Sequence, residues 1–144
     1  MQIHLPNEDA TRNLAETLAA KARPGDALLL EGALGTGKTS FSRAFIRALA
    51  CDQKLEVPSP TFTLVQSYET PKGEIWHYDL WRLTDHHALA ELGWDEATRH
   101  IVLVEWPDRL GPLTPPHALH LRFAYATPGR SLELSGEERW FNAS

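Results

Sequence analysis

The sequence predicts an α/β fold, with a mixed, mostly parallel sheet that carries an antiparallel hairpin and is flanked by helices. Three observations predict it. The apolar runs at residues 27–31 and 101–104 are continuous rather than alternating, as in buried strands of a parallel sheet. Segments with apolar residues three and four apart lie beside them, as helices covering such a sheet would. Two strand-like runs, 61–68 and 74–80, flank Thr70-Pro71-Lys72-Gly73, the mark of a hairpin turn. At 144 residues the chain can bury a real core, and residues 1–144 read as a single domain.

In order, residues 7–22 place Ala10, Leu14, Leu18 and Ala22 four apart, with Asn7 or Asp9 as N-cap, so a helix is expected. Pro24-Gly25-Asp26 is a turn into the strand at 27–31. Residues 39–49 put Phe41, Phe45, Ile46 and Leu49 on one helical face. Pro58-Ser59-Pro60 stops regular structure before the run at 61–68. Residues 84–92 read as a helix capped by Thr84 or Asp85 and ended by Gly93. Strands at 101–104, 117–123 and 131–134 complete the sheet.

Between the first strand and its helix, Gly32-Ala33-Leu34-Gly35-Thr36-Gly37-Lys38-Thr39 fits G-x-x-x-x-G-K-[ST], the phosphate-binding P-loop. Each part has a physical task. The glycines allow positive φ and close approach of backbone to ligand. Successive N–H groups and the helix N-terminus make an anion-binding nest. Lys38 brings a charge to the outer phosphates, and the Thr39 hydroxyl can ligate Mg²⁺. A strand before and an amphipathic helix after complete the pattern, so the fold is a single P-loop NTPase domain.

Composition narrows the function. Hydrophobic residues make up 42% and charged residues 23%, ordinary for a globular protein, and the net charge of −5 argues against a dedicated nucleic-acid or membrane binder. Cys51 is alone, so no internal disulfide forms; it reads as a helix-end residue. No signal-peptide pattern opens the chain and no apolar run reaches the roughly 18 residues of a membrane span, so a cytoplasmic protein is expected.

Hydrolysis or transfer needs carboxylates as well as a P-loop. "IVLVEWPD" ends an apolar run in Glu105, the form of a Walker B strand whose acid holds Mg²⁺. In "EIWHYDLWRL", Ile75, His77 and Asp79 share one strand face. Spacing alone favours an exposed edge pair for His77 and Asp79; facing a nucleotide, Asp79 could orient water or reach Mg²⁺ through it. "SPTFT" offers the Thr61 and Thr63 hydroxyls, either as a plain strand entry or as a segment closing on the γ-phosphate. No Asn-Lys-x-Asp guanine reader is present, which favours ATP over GTP. The five tryptophans read as core or partner contacts, with Trp106 the one placed to lie near the nucleotide.

"LLLEGALGTGKTSFSRAF", "VPSPTFTLVQSYE", "HYDLWRL", "ELGWDE" and "IVLVEWPDRL", in this order, resemble the TsaE (YjeE) family over about residues 5 to 135. The family is the small ATPase of bacterial threonylcarbamoyladenosine (t6A) tRNA modification. The resemblance implies that Gly35, Thr36, Gly37, Lys38, Thr39 and Ser40 wrap the phosphates of ATP or ADP, with Thr39 and Glu105 on Mg²⁺. It implies that Asp79 is needed for hydrolysis, that Thr61 faces the γ-phosphate, and that Glu8, Thr11 and Arg130 approach the nucleotide. It implies TsaD and TsaB as partners, with tRNA met indirectly through them and no membrane. The chain has Ala33 and Trp81 where the family commonly has Asp and Tyr. Two other functions fit a P-loop core. A small-molecule kinase would need an arginine-rich lid, and Arg99, Arg109 and Arg122 are scattered. A nucleotide-dependent binding module would not need Asp79.

Overall fold

The computed structural model describes residues 1–142, so 143–144 of the expected domain lie outside the described residues. The chain runs β1 (Gln2–Leu5), α1 (Glu8–Lys21), β2 (Ala27–Glu31), α2 (Lys38–Ala50), β3 (Val65–Thr70) and β4 (Gly73–Asp79). A 3-10 helix (His86–Leu92), α3 (Trp94–Ala97), β5 (Ile101–Glu105), a second 3-10 segment (Pro107–Leu113), β6 (Leu119–Tyr125) and β7 (Arg130–Ser135) follow. All seven strands join one sheet in the order β1-β7-β6-β2-β5-β4-β3. Its centre is parallel, β6 and β5 on either side of β2 and β4 beyond β5, and both edges are antiparallel.

The run Leu28-Leu29-Leu30 is continuous because alternate residues serve two layers. Leu28 and Leu30 face Leu18, Phe41, Phe45 and Ile46 of α1 and α2. Leu29 faces the other way, with Tyr78, Val102 and Val104, toward Leu89, Trp94 and Leu110. All of these except Leu18 and Trp94 are at most 1% exposed. Helix α1 starts where the Asn7 side chain accepts from the Ala10 N–H (2.9 Å), with Glu8 and Asp9 in its first turn favouring the positive dipole end. Helix α2 ends at Cys51, whose left-handed φ of 55° closes the C-cap, as a helix-end residue should.

Three elements differ from expectation. The strand expected at 61–68 begins only at Val65, because the Leu64 N–H reaches back to the Pro60 carbonyl (2.7 Å) and closes a turn. The alternation of Phe62 and Leu64 is therefore not a buried face, and Phe62 is 84% exposed. The helix expected at 84–92 is a 3-10 helix, capped by Asp85 and stopped by Gly93 as anticipated. Its buried anchor is Leu89, too little apolar surface to organise a longer α-helix. Strand β1 was not expected; it pairs antiparallel with β7, so the C-terminal strands form a second hairpin with an added edge.

Because the Asn7 cap fixes the turn that carries Glu8 and Thr11, Asn7→Ala should lower unfolding stability by about 1 kcal/mol in urea titration.

Candidate functional site

Strand order assembles the site. In the sheet register Leu30 lies beside Glu105, and Glu105 beside Asp79, so the C-terminal ends of β2, β5 and β4 stand in one row. Neighbouring strands are about 4.8 Å apart, so the loop after β2 and both acids share one edge.

The loop from β2 to α2 is shaped by its glycines and held from outside. Gly35 and Gly37 have φ of 79° and 104°, and a Cβ on Gly35 would meet the Tyr125 hydroxyl at 2.9 Å. The Thr36 hydroxyl donates to the Ala33 carbonyl (2.6 Å), Tyr125 Oη donates to Leu34 (2.6 Å), and Arg130 Nε donates to Gly35 (3.1 Å). Three successive carbonyls are thus fixed by side-chain donors. The first α2 bond runs from Phe41 N–H to Gly37 C=O (3.0 Å), so the amides of Lys38, Thr39 and Ser40 precede any helical acceptor.

Lys38 is 4% exposed, and its Nζ has no hydrogen-bond partner among the described residues. It lies 3.6 Å over the Trp106 ring. Burial pushes the ammonium below the ordinary lysine range, while the carboxylates of Glu105, Asp79 and Asp108 pull it back up. Trp106 holds its ring there from a left-handed φ of 61°, a strained setting for a bulky residue, and it packs against Trp81 with centroids 4.5 Å apart.

Both acids are anchored. Glu105 Oε2 accepts from His77 Nε2 (2.7 Å), with Ser42 Oγ at 3.5 Å. Asp79 Oδ1 accepts from the Trp81 N–H (3.1 Å), and Oδ2 accepts from Thr61 Oγ1 (3.2 Å) and Ser59 Oγ (3.5 Å). The two hydroxyls are 2.8 Å apart. His77 and Asp79 are 2% and 6% exposed, so the exposed edge pair that spacing favoured is overturned. β4 is an interior strand between β3 and β5, which spacing within one segment does not reveal.

Gly35, Lys38, Thr39, Thr61, Asp79, Glu105 and Trp106 line a cleft of about 260 Å³ that Gly37, Ser40 and Arg130 also border. A second recess, about 150 Å³, adjoins at Gly37, Ser40 and Arg130 and is lined by Glu8 and Thr11. The residues that the family resemblance assigns to the nucleotide and metal thus converge on these two spaces, apart from Thr36, whose hydroxyl is used within the loop. Thr63 turns away to accept from Gln66 Nε2 (3.3 Å). Sequence reasoning missed Ser59, Tyr125 and the His77–Glu105 contact. Ser59 lay inside a quoted motif; nothing local marked Tyr125, which acts across 91 residues.

The donor set suits a phosphate chain with a divalent cation. The Lys38 ammonium is buried without a hydrogen-bond acceptor among the described residues, the start of α2 offers amides, and Thr39 and Glu105 present oxygen ligands to one cleft. Among the described residues no helix is long and apolar enough to cross a membrane.

A model of the family "TsaE: Threonylcarbamoyl adenosine biosynthesis protein TsaE" matches residues 5–132. The tRNA threonylcarbamoyladenosine biosynthesis protein TsaE of Rickettsia felis is 43% identical over 78% of this chain and 66% of its own length. That of Rickettsia prowazekii is 40% identical over 78% of each. The crystal structure of YdiB from Bacillus subtilis superposes with a TM-score of 0.75 at 26% identity, covering 98% of this chain and 88% of that one.

Thr61→Val removes the hydroxyl tying the 61–64 turn to Asp79. Chymotryptic cleavage after the exposed Phe62 should accelerate several-fold while the melting temperature barely moves.

Proposed function

This chain belongs to the TsaE family, and on that premise we propose that it binds and hydrolyses Mg-ATP to drive turnover of a TsaB–TsaD complex that modifies tRNA adenosine. Membership places it in threonylcarbamoyladenosine biosynthesis. The observation that supports the ATPase reading is the Lys38 ammonium, buried without a hydrogen-bond acceptor among the described residues and lining a cleft edged by two carboxylates. A purely structural lysine would have been given a partner or left in water.

Lys38 and the first amides of α2 hold the phosphates. The Thr39 hydroxyl and the Glu105 carboxylate hold Mg²⁺, which when bound draws negative charge from the phosphate oxygens. Asp79, fixed by Thr61 and the Trp81 amide, accepts a hydrogen bond from the attacking water and aligns it with the γ-phosphate. Thr61 closes on the γ-phosphate side. Glu8, Thr11 and Arg130 border the second recess, which takes the nucleoside end. Transfer of the threonylcarbamoyl group belongs to TsaD. The acidic net charge of −5 suits a subunit that meets tRNA only through its partners.

Adding the protein and ATP to TsaB, TsaD and tRNA should convert a single round of modification into many. Modification that stays at one round would refute the coupling role. Lys38→Ala should abolish ATP binding by calorimetry, and normal affinity would refute the P-loop assignment. Asp79→Ala should keep ATP affinity and lose turnover; a variant that still supports many rounds would instead favour a binding module.

A further inference from the structure

We propose that His77 is a positioning residue: by donating from Nε2 to Oε2 of Glu105, it turns the other carboxylate oxygen toward Mg²⁺. The inference rests on the Mg-ATPase reading of the cleft. Its observation is separate, a buried side-chain pair that neither the P-loop nor the water-orienting acid requires.

His77 and Glu105 are 2% and 3% exposed, on adjacent strands. His77 lies two residues before Asp79 on β4, so it shares the strand face of Asp79, and Asp79 is paired with Glu105. A carboxylate offers only acceptors, so at 2.7 Å the ring nitrogen is the donor. Nδ1 is buried without a partner among the described residues, so the ring makes its polar contact through Nε2 alone. Ser42, the other group near Oε2, directs its hydroxyl to the Lys38 carbonyl at 2.9 Å and stands 3.5 Å from the acid. Among the described residues His77 is therefore the one close donor to Oε2, and Oε1 makes no hydrogen bond.

The physical consequence follows from the side chain's freedom. A glutamate turning about its last torsion presents either oxygen, or neither, to the cleft that Thr39 also lines. Holding Oε2 inside the protein leaves Oε1 as the metal ligand and removes that freedom before the ion arrives. Partners of this kind behind a metal ligand are commonly worth about 10–100-fold in metal affinity.

The test is calorimetric titration of Mg²⁺ into the protein–ADP complex, with ADP affinity measured separately in chelator. His77→Phe keeps a ring and removes the donor. It should weaken Mg²⁺ binding at least about tenfold while leaving metal-free ADP affinity unchanged. His77→Gln, whose amide reaches about as far as Nε2, should restore the affinity; the shorter His77→Asn should not. Wild-type Mg²⁺ affinity in His77→Phe, or an equal loss of metal-free ADP binding, overturns the proposal. Should His77→Phe fail to fold, equal Mg²⁺ affinities for the Gln and Asn variants overturn it. Glu105→Gln separates the two levels. If it binds Mg²⁺ like wild type, the metal reading of Glu105 fails and this proposal with it. If it loses Mg²⁺ while His77→Phe does not, only the role of His77 falls.

Discussion

Two carboxylates and an ammonium lie buried at the same end of the sheet, and they are there because β2, β5 and β4 are neighbours that end in register. Buried like charges repel strongly when water is excluded. Each acid therefore has its own donors, His77 for Glu105 and Thr61 with the Trp81 amide for Asp79, and Lys38 balances both. Helix α2 begins at this edge with Lys38 as its first residue, within electrostatic reach of both acids. The same strand order sets the three-layer fold, because a central parallel strand must be covered on both faces.

The arrangement leaves the Lys38 ammonium without a hydrogen-bond acceptor among the described residues. The Lys38 ammonium rests over the Trp106 ring, a contact worth about 0.5–2 kcal/mol, in place of hydrogen bonds it would make in water. Trp106 supplies that ring from a left-handed backbone. Strain and unmet polar demand gathered at one place are what a preorganised site shows, and the rest of the core, with aliphatic residues at or near 0% exposure, is stable enough to carry them. The loop itself is held from outside by Tyr125 and Arg130, which fix its carbonyls rather than its amides.

What could be read from the sequence was what is encoded locally. The P-loop glycines, Lys38 and the apolar runs of β2 and β5 each sit within about ten residues, so pattern alone located the cleft's floor and Glu105 at its wall. Position within the sheet is not local. His77 and Asp79 have the spacing of a surface pair, yet β4 lies between β3 and β5 and buries both. Residues 61–64 alternate as a strand does, but Pro60 and a left-handed Leu64 make them a turn. Strand β1 and the Tyr125 clamp arise from pairings more than ninety residues apart, with no local pattern to announce them. The role expected of Asp79 rests on the family resemblance and not on spacing.

On the proposed reading, the Lys38 ammonium lacks a hydrogen-bond acceptor within the described residues because a phosphate supplies it. A crystal structure of the protein with Mg²⁺ and a non-hydrolysable ATP analogue tests it most directly. The account predicts that Lys38 Nζ leaves the Trp106 ring for a phosphate oxygen, with the metal between Thr39 and Glu105. A bound nucleotide with Lys38 still over Trp106, or a metal remote from Glu105, would contradict it.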